Sequence, residues 1–269
     1  MGVWGSWQMV AQSGTFFVGN YLTVSYGWQG LWWFGIIVLV IAIILFAMKI
    51  SSPPTEENYA DVETADVPLR EGFKSKSAWL MSGAAMCFCF SCFGFVTWIA
   101  PYWSQAFNWD IDTANKYVSM IYLLEIGMVI AVGWCLDHIK DRKLFGKATF
   151  LLYAGILFLC FRMDNPALII PFVIIYPFLE GAIPTAFWTL IPQTVEKPEL
   201  AGVAIGILNT LQNLGIVLGP PITGAVIEAY GWSAGTIPIT ISSVVGVVLF
   251  SSVKIYPSKY QNNDDKLIT

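Results

Sequence analysis

Long uncharged apolar stretches set the terms for this chain. A helix needs about 20 mostly apolar residues to cross a bilayer, and stretches of roughly that length lie near 4–25, 31–50, 78–102, 117–137, 147–162, 167–191, 201–227 and 234–255. The expected fold class is therefore an all-α integral membrane protein with about eight transmembrane helices. Composition agrees: 56% of the 269 residues are apolar and 12% are charged, where a soluble domain carries about 25% charged residues. Mean hydropathy is +0.64, and most soluble enzyme classes are excluded. A net charge of −4 with no basic run points away from nucleic acid as a partner. The first stretch opens at Gly2, Val3 and Trp4 with no positive residue ahead of it, so it does not read as a cleavable signal peptide.

Residues 51–77 form the one long polar stretch, from Ser51, Pro53 and Pro54 through Glu56, Glu57, Asp61, Glu63 and Asp66 to Arg70, Lys74 and Lys76. Proline stops the preceding helix, and the composition is too polar to bury, so a surface linker is expected. Counting Lys and Arg by alternate loops orients the chain. One side holds Lys49, Arg70, Lys74, Lys76, Lys140, Arg142, Lys143, Lys147, Lys197, Lys254, Lys259 and Lys266; the other holds only Lys116 and Arg162. Both termini and the linker are expected in the cytoplasm. A missed or invented helix would scramble that alternation.

An internal repeat adds a second kind of signal. Tyr26-Gly27-Trp28 recurs as Tyr230-Gly231-Trp232, and Gln8 and Gln212 each lie 20 residues before the Trp. Repeated bundles of helices are a transporter trait, although chance reuse of a turn would look the same.

Three motifs then point to one family. Gly133-Trp134-Cys135-Leu136-Asp137 with Arg142-Lys143 is similar to the short-loop signature of the major facilitator superfamily: a glycine, a downstream aspartate and a basic pair. Leu218-Gly219-Pro220-Pro221-Ile222-Thr223-Gly224, ahead of Gly231-Trp232, resembles that family's Gly-Pro-rich helix eleven and its exit. Gly27-Trp28-Gln29 with Trp33-Phe34 resembles the exit of helix five, with Gln where Arg is commoner. The resemblance covers essentially the whole chain and implies helices five to twelve of twelve. It makes 1–50 the last two helices of the first bundle, 51–77 a cytoplasmic linker, 78–257 a complete second six-helix bundle and 258–269 a cytoplasmic tail. Helices one to four have no counterpart here, which leaves a missing amino-terminal segment or a partner chain as an expectation.

Ionisable groups inside spans are costly, about 2.5–3.5 kcal/mol for a central Asp, Lys or Arg, and are read as functional by default. Glu125 and Glu180 are two such groups; Glu125 is expected about 12 Å inside its outer end and Glu180 near mid-span. Helical spacing sets Glu125 beside Tyr122, and Glu180 beside Tyr176, Pro184 and Trp188. A carboxyl so placed can take up and release a proton, can stay ionised against a cationic solute, or can sit protonated and hydrogen-bonded to a neighbouring helix. Asn209, Gln212 and Asn213 share one face by i, i+3, i+4 spacing, which suits a watery cavity or an interhelical seam. Gln8, Gln12 and Ser13 give the first span a polar side, and Trp98, Pro101 and Tyr102 close the third with aromatics that could line a cavity or sit in an interfacial belt.

Spans 31–50 and 147–162 are almost wholly apolar, and the resemblance makes them peripheral helices. Pro171, Pro177 and Pro184 around Glu180, and Gly215, Gly219, Pro220, Pro221 and Gly224 further on, mark bends or close packing. The resemblance implies gating for Gly133, Asp137, Arg142 and Lys143; a positive-inside anchor is the plainer reading. No P-loop, paired-histidine motif or nucleophile elbow occurs, so no enzyme, cofactor or metal is expected. His138 is expected to be solvated. Cys87 and Cys89 point about 200° apart on a helix and, with Cys92, read as packing.

The function implied is a secondary active transporter in the plasma membrane, moving a small solute by alternating access with a proton or other cation as coupling ion. Spans three, four, six and seven would supply one wall of a midplane site. No Lys or Arg lies deep in a span, so a neutral or cationic solute suits this half. The alternatives are a transport-inactive truncated protein or scaffold, and an obligate half of a split transporter.

Overall fold

The structure of the chain, a computed structural model, describes residues 7–49, 68–139 and 141–256. Their long elements are helices: α1 Trp7–Tyr26, α2 Trp28–Lys49, α3 Arg70–Phe73, α4 Lys76–Phe107, α5 Ile111–His138, α6 Arg142–Leu159, α7 Ile169–Leu190, α8 Ala201–Tyr230 and α9 Trp232–Ser251. Short 3-10 turns flank α6, α7 and α8.

Seven of these, α2 and α4 to α9, are long and apolar enough to cross a membrane. The eighth expected span is a helix, α1, but it falls outside that set. It has 20 residues, enough for a hydrocarbon core of about 30 Å, yet Gln8, Gln12, Ser13, Asn20 and Thr23 dilute its apolar character. At 32 residues, α4 is about 48 Å long at 1.5 Å per residue and extends past the core at one or both ends.

Local chemistry fixes where helices start and stop. Ser75 caps α4 by accepting from the Ala78 N–H at 3.2 Å. Asp110 caps α5 through the Thr113 N–H at 2.8 Å, and Asp141 caps α6 through the Leu144 N–H at 2.8 Å. The repeated Tyr-Gly-Trp is a helix-stop device in both copies. Gly27 at φ +70° and Gly231 at φ +84° end α1 and α8 in a region that a Cβ disfavours, and Trp28 and Trp232 open the next helix. Pro171, expected to break a helix, instead stands in the first turn of α7, where its missing N–H has no ladder partner to lose. Pro177 and Pro184 are interior.

Two compact units result, one of residues 14–66 and one of residues 1–13 with 67–269. In the first, α2 is apolar all round and none of its apolar window is buried within the chain, the pattern of a lipid-facing helix. In the second, α4 runs against α8 and α9, α5 lies along α7, and α6 packs on α9 and α7. Of the expected linker, residues 51–67 lie outside the described residues; the rest is ordered as α3 and the Ser75 cap, so the polar stretch ends short of 77. The expected tail 258–269 also lies outside them.

The bundle core is aromatic. Phe95 meets Tyr176 at 4.8 Å between ring centroids, Phe88 meets Tyr153 at 5.3 Å and Phe187 meets Phe250 at 5.5 Å, which ties α4, α6, α7 and α9 together. Along α8 the fit is closer still. A Cβ built on Gly215 would stand 2.3 Å from the Met86 carbonyl oxygen, and one on Gly219 would stand 2.3 Å from that of Phe90. The two backbones are in contact, so these glycines serve packing between α8 and α4.

Candidate functional site

Glu125 lies fourteen residues from the start of α5 and thirteen from its end, deeper than the sequence suggests because the helix begins at Ile111. Glu180 is at the middle of α7. The two helices are neighbours, and the glycine after Glu180 lets the carboxyls approach: a Cβ on Gly181 would lie 3.6 Å from Glu125 Oε1 and 2.6 Å from Val129 Cγ2. Glu125 is 0% exposed and Glu180 5%. Both Glu125 oxygens and Glu180 Oε2 find no hydrogen-bond partner among the described residues. Glu180 Oε1 accepts from the Cys92 thiol of α4 at 2.9 Å.

Around the pair stand three buried tyrosines. Tyr122, Tyr176 and Tyr153 are within electrostatic reach of Glu180, and the Tyr153 and Tyr176 hydroxyls share a hydrogen bond at 3.3 Å. Phe172 stacks on Tyr176 at 5.2 Å. The helix beneath the pair is loosened, because Pro184 has no N–H for the Glu180 carbonyl and Pro177 none for that of Val173. Thr185 donates to the Gly181 carbonyl at 2.7 Å, and Thr189 to that of Thr185 at 2.7 Å. Carboxyl oxygens buried among aromatic rings without a hydrogen-bond partner among the described residues are costly to keep charged.

The remaining sequence candidates divide by what has already claimed them. Trp98 Nε1 donates to the Pro220 carbonyl at 2.9 Å, and its ring fills the space beside Gly224. The Tyr102 hydroxyl donates to the Met163 carbonyl at 2.6 Å, and its ring packs on Phe161 and Trp232. Both side chains therefore fasten helices together. The amide face of α8 is different. Asn209 and Asn213 are exposed and Gln212 half-buried, and Asn213 donates only to the Asn209 carbonyl one turn back, at 2.8 Å. Gly215 and Gly219 turn toward α4; Gln212, three residues before Gly215 and seven before Gly219, lies on that same stripe, whereas Asn209 and Asn213 lie farther round the helix. Of the polar side of α1, Gln12 is half-buried and Ser13 buried, while Gln8 lies outside the described side chains.

At the basic end, Arg142 Nε donates to the Leu136 carbonyl at 2.9 Å, and Lys143 Nζ donates to the Val253 carbonyl. The pair thus caps the last turn of α5 and the chain just past α9, where helix carbonyls are unpaired and the dipole favours a cation. Gly133 is half-buried within α5; the Asp137 side chain lies outside those described. His138 is exposed and bonds the Trp134 carbonyl at 2.8 Å.

Sequence reading missed Cys92 as the donor to Glu180, and Tyr153 as partner of Tyr176. Cys92 and Glu180 are 88 residues apart, so no helical period links them; a thiol in an apolar span was the only signal. Among the described residues no three His, Cys, Asp or Glu side chains group as metal ligands.

Comparison with known proteins agrees with this architecture. Residues 1–219 match the family model described as Major Facilitator Superfamily. A Protein TsgA homolog of Serratia proteamaculans (strain 568) is 27% identical over 157 residues, covering 56% of this chain and 38% of that protein. A Protein TsgA homolog of Yersinia pestis (strain Pestoides F) is 26% identical over 155 residues, 55% of this chain and 37% of that protein. The Aspyridones efflux protein apdF of Emericella nidulans is 30% identical over 109 residues, 40% of this chain and 22% of that protein. The chain therefore spans well under half the length of these relatives. With the family match over most of its length, the helical bundle and the seven apolar spans, the chain is a multi-pass membrane protein that belongs to the Major Facilitator Superfamily of transporters.

Proposed function

We propose that this chain forms part of a secondary active transporter that moves a small solute by alternating access, with Glu125 and Glu180 as its proton-handling pair. The observation that carries this reading is the pair itself: two carboxyls at the middle of adjacent helices, three of their oxygens buried without a hydrogen-bond partner among the described residues. A proton shared by the two removes one charge and supplies one donor, which addresses both costs together. A monovalent cation is the other occupant that this chemistry admits.

On this reading α4, α5, α7 and α8 supply one wall of a site near the bilayer midplane. The exposed amides Asn209 and Asn213 offer that wall neutral donors and acceptors. The solute is neutral or cationic, since no Lys or Arg stands at the middle of these helices. The efflux named for the Emericella relative gives outward movement as the direction to test first. The excess of Lys and Arg on one side supports the reading that both termini are cytoplasmic and that the protein sits in the plasma membrane.

The test uses the full chain in proteoliposomes with an imposed pH gradient. A panel of neutral and monocationic solutes is screened for one whose movement follows that gradient. Glu180→Gln and Glu125→Gln then abolish the dependence on the gradient, while protease protection shows that insertion is kept. Gradient dependence unchanged in both variants overturns the coupling role.

A further inference from the structure

A second polar site lies away from the mid-helix carboxyl pair, at the end of the bundle where Arg142 and Lys143 cap their helices. There the start of α4, the turns between α7 and α8, and the chain after α9 enclose a cavity of ≈ 610 Å³, within the range of small-molecule sites, about 300–1,000 Å³. Its walls are fixed by one backbone and two serine hydroxyl hydrogen bonds between segments far apart in sequence. Ser75 Oγ donates to the Thr194 carbonyl at 2.7 Å, the Lys254 N–H donates to Ser77 Oγ at 3.1 Å, and the Tyr256 N–H donates to the Gln193 carbonyl at 2.8 Å. Thr194, Val195, Leu200 and Ser77 form a buried floor.

Charge on this cavity is unbalanced in a particular way. Four lysines line it, Lys74, Lys76, Lys197 and Lys254, against two carboxylates, Glu71 and Glu196. Both carboxylates are engaged. Glu71 pairs with Lys197 at 3.0 Å, and Glu196 accepts from the Tyr256 hydroxyl, a bond that holds this phenol above its ordinary pKa. Lys74, Lys76 and Lys254 are left with no carboxylate partner among the described residues; the Lys254 ammonium lies 5.0 Å from the Tyr256 ring centroid. The N-terminus of α4 opens into the same space. The Ala78 N–H is taken by Ser75, and the N–H groups of Lys76 and Ser77 have no partner within the helix. Three ammoniums with no carboxylate partner among the described residues, a helix N-terminus and the Ser77 hydroxyl, around one cavity with an excess of two lysines over carboxylates, are a donor set for a phosphoryl oxyanion.

We propose that this cavity binds a phosphoryl group, supplied by the headgroup of an anionic phospholipid or by a soluble phosphate. Basic pockets between helices at the cytoplasmic surface suit anionic headgroups, and the cavity opens at a helix end, beside the start of α4. Nothing in this inference depends on the carboxyl pair or on transport.

The test measures the thermal unfolding midpoint of the purified full chain with two probes. The first is a nanodisc of phosphatidylcholine with or without one-fifth phosphatidylglycerol; the second is inorganic phosphate added in neutral detergent. The expected result is a raised midpoint with at least one probe, lost in Lys74→Gln/Lys76→Gln/Lys254→Gln and retained in Lys147→Gln, which removes a lysine outside the cavity. Titration weakens about fivefold for each lysine removed. A response to phosphatidylglycerol alone assigns the site to a headgroup; a response to inorganic phosphate assigns it to a soluble anion. Should the triple variant fail to fold, Lys74→Arg/Lys76→Arg/Lys254→Arg is expected to keep the response, and high salt is expected to remove it from the wild-type chain. No response to either probe, or a response that the triple Gln variant retains in full, overturns the proposal.

Discussion

Replacing Gly215 with alanine places a methyl group where the structure has a carbonyl. The added Cβ would stand 2.3 Å from the Met86 oxygen and 2.9 Å from the Phe90 nitrogen, both backbone atoms, whereas ordinary contact begins at 3.4 Å. No rotamer change relieves that contact, so α8 must withdraw from α4 by about 1 Å along their most extensive interface. Overpacking of this kind costs about 1–3 kcal/mol, and the alanine recovers about 0.5–1 kcal/mol of helix propensity. The net is a loss of about 1–2 kcal/mol. Gly206, on the same helix, supplies the internal control: a Cβ there meets nothing within 4 Å, so Gly206→Ala keeps only the propensity gain of about 0.5–1 kcal/mol. Thermal unfolding of both variants in one detergent at one scan rate is the assay. At about 2–4 °C per kcal/mol for a chain of this size, Gly215→Ala is expected to fall by a few degrees and Gly206→Ala to hold or rise. A Gly215→Ala midpoint at or above wild type, or a Gly206→Ala loss equal to that of Gly215→Ala, would refute the claim that the backbones touch.

Two further outcomes are expected. Trp98→Phe keeps the ring against Gly224 but deletes the Nε1 bond to the Pro220 carbonyl; a stability loss of about 1 kcal/mol is expected, read by the same unfolding assay, and no loss would show that the bond contributes nothing. Asp110 is held below its ordinary value of 3.8 by the Thr113 N–H and then the Thr113 hydroxyl. A depressed carboxyl stabilises the fold above its unfolded pKa and loses that contribution as pH falls through the folded one. Asp110→Ala should therefore flatten the acid limb of the stability profile below about pH 4 and leave the profile above it parallel to wild type; an unchanged acid limb would remove Asp110 from the account.

Helix existence and order were legible in this sequence because lipid imposes a length and a polarity that few other environments do. Residues 78–102 and 201–227 had to be helices, and both are, the first longer than expected at both ends and the second at its C-terminal end. What hydropathy alone missed were the segments that extend beyond the core and take their bounds from caps. Ser75, Asp110 and Gly231 set those bounds by single hydrogen bonds or one positive φ. The first span is a helix of the expected kind, though the polar residues of its described part put α1 below the apolarity of the other seven. The Tyr-Gly-Trp repeat, open to chance on sequence alone, proves to be one helix-stop device used twice.

For the site, sequence could register which residues are expensive inside a membrane, but not which have been compensated. Trp98, Tyr102, Arg142 and Lys143 all looked available, and each spends its donor on a distant backbone carbonyl: Pro220, Met163, Leu136 and Val253. Those partners lie in other elements or past helix ends, where no periodicity reaches. Glu125 and Glu180 look equally expensive in the sequence; Glu180 Oε1 accepts from the Cys92 thiol, and the other three oxygens find no partner by hydrogen-bond geometry among the described residues. A polar group bonded to a carbonyl carries load in every state of the bundle that keeps that bond. A buried carboxyl with oxygens left unbonded carries a standing cost that a proton or cation would relieve, which is the ground for the proposed coupling role. That difference in bookkeeping, rather than residue type, separates the carboxyl pair from the residues that fasten the bundle, and it is why Glu125→Gln and Glu180→Gln are expected to preserve the fold while changing its response to a pH gradient.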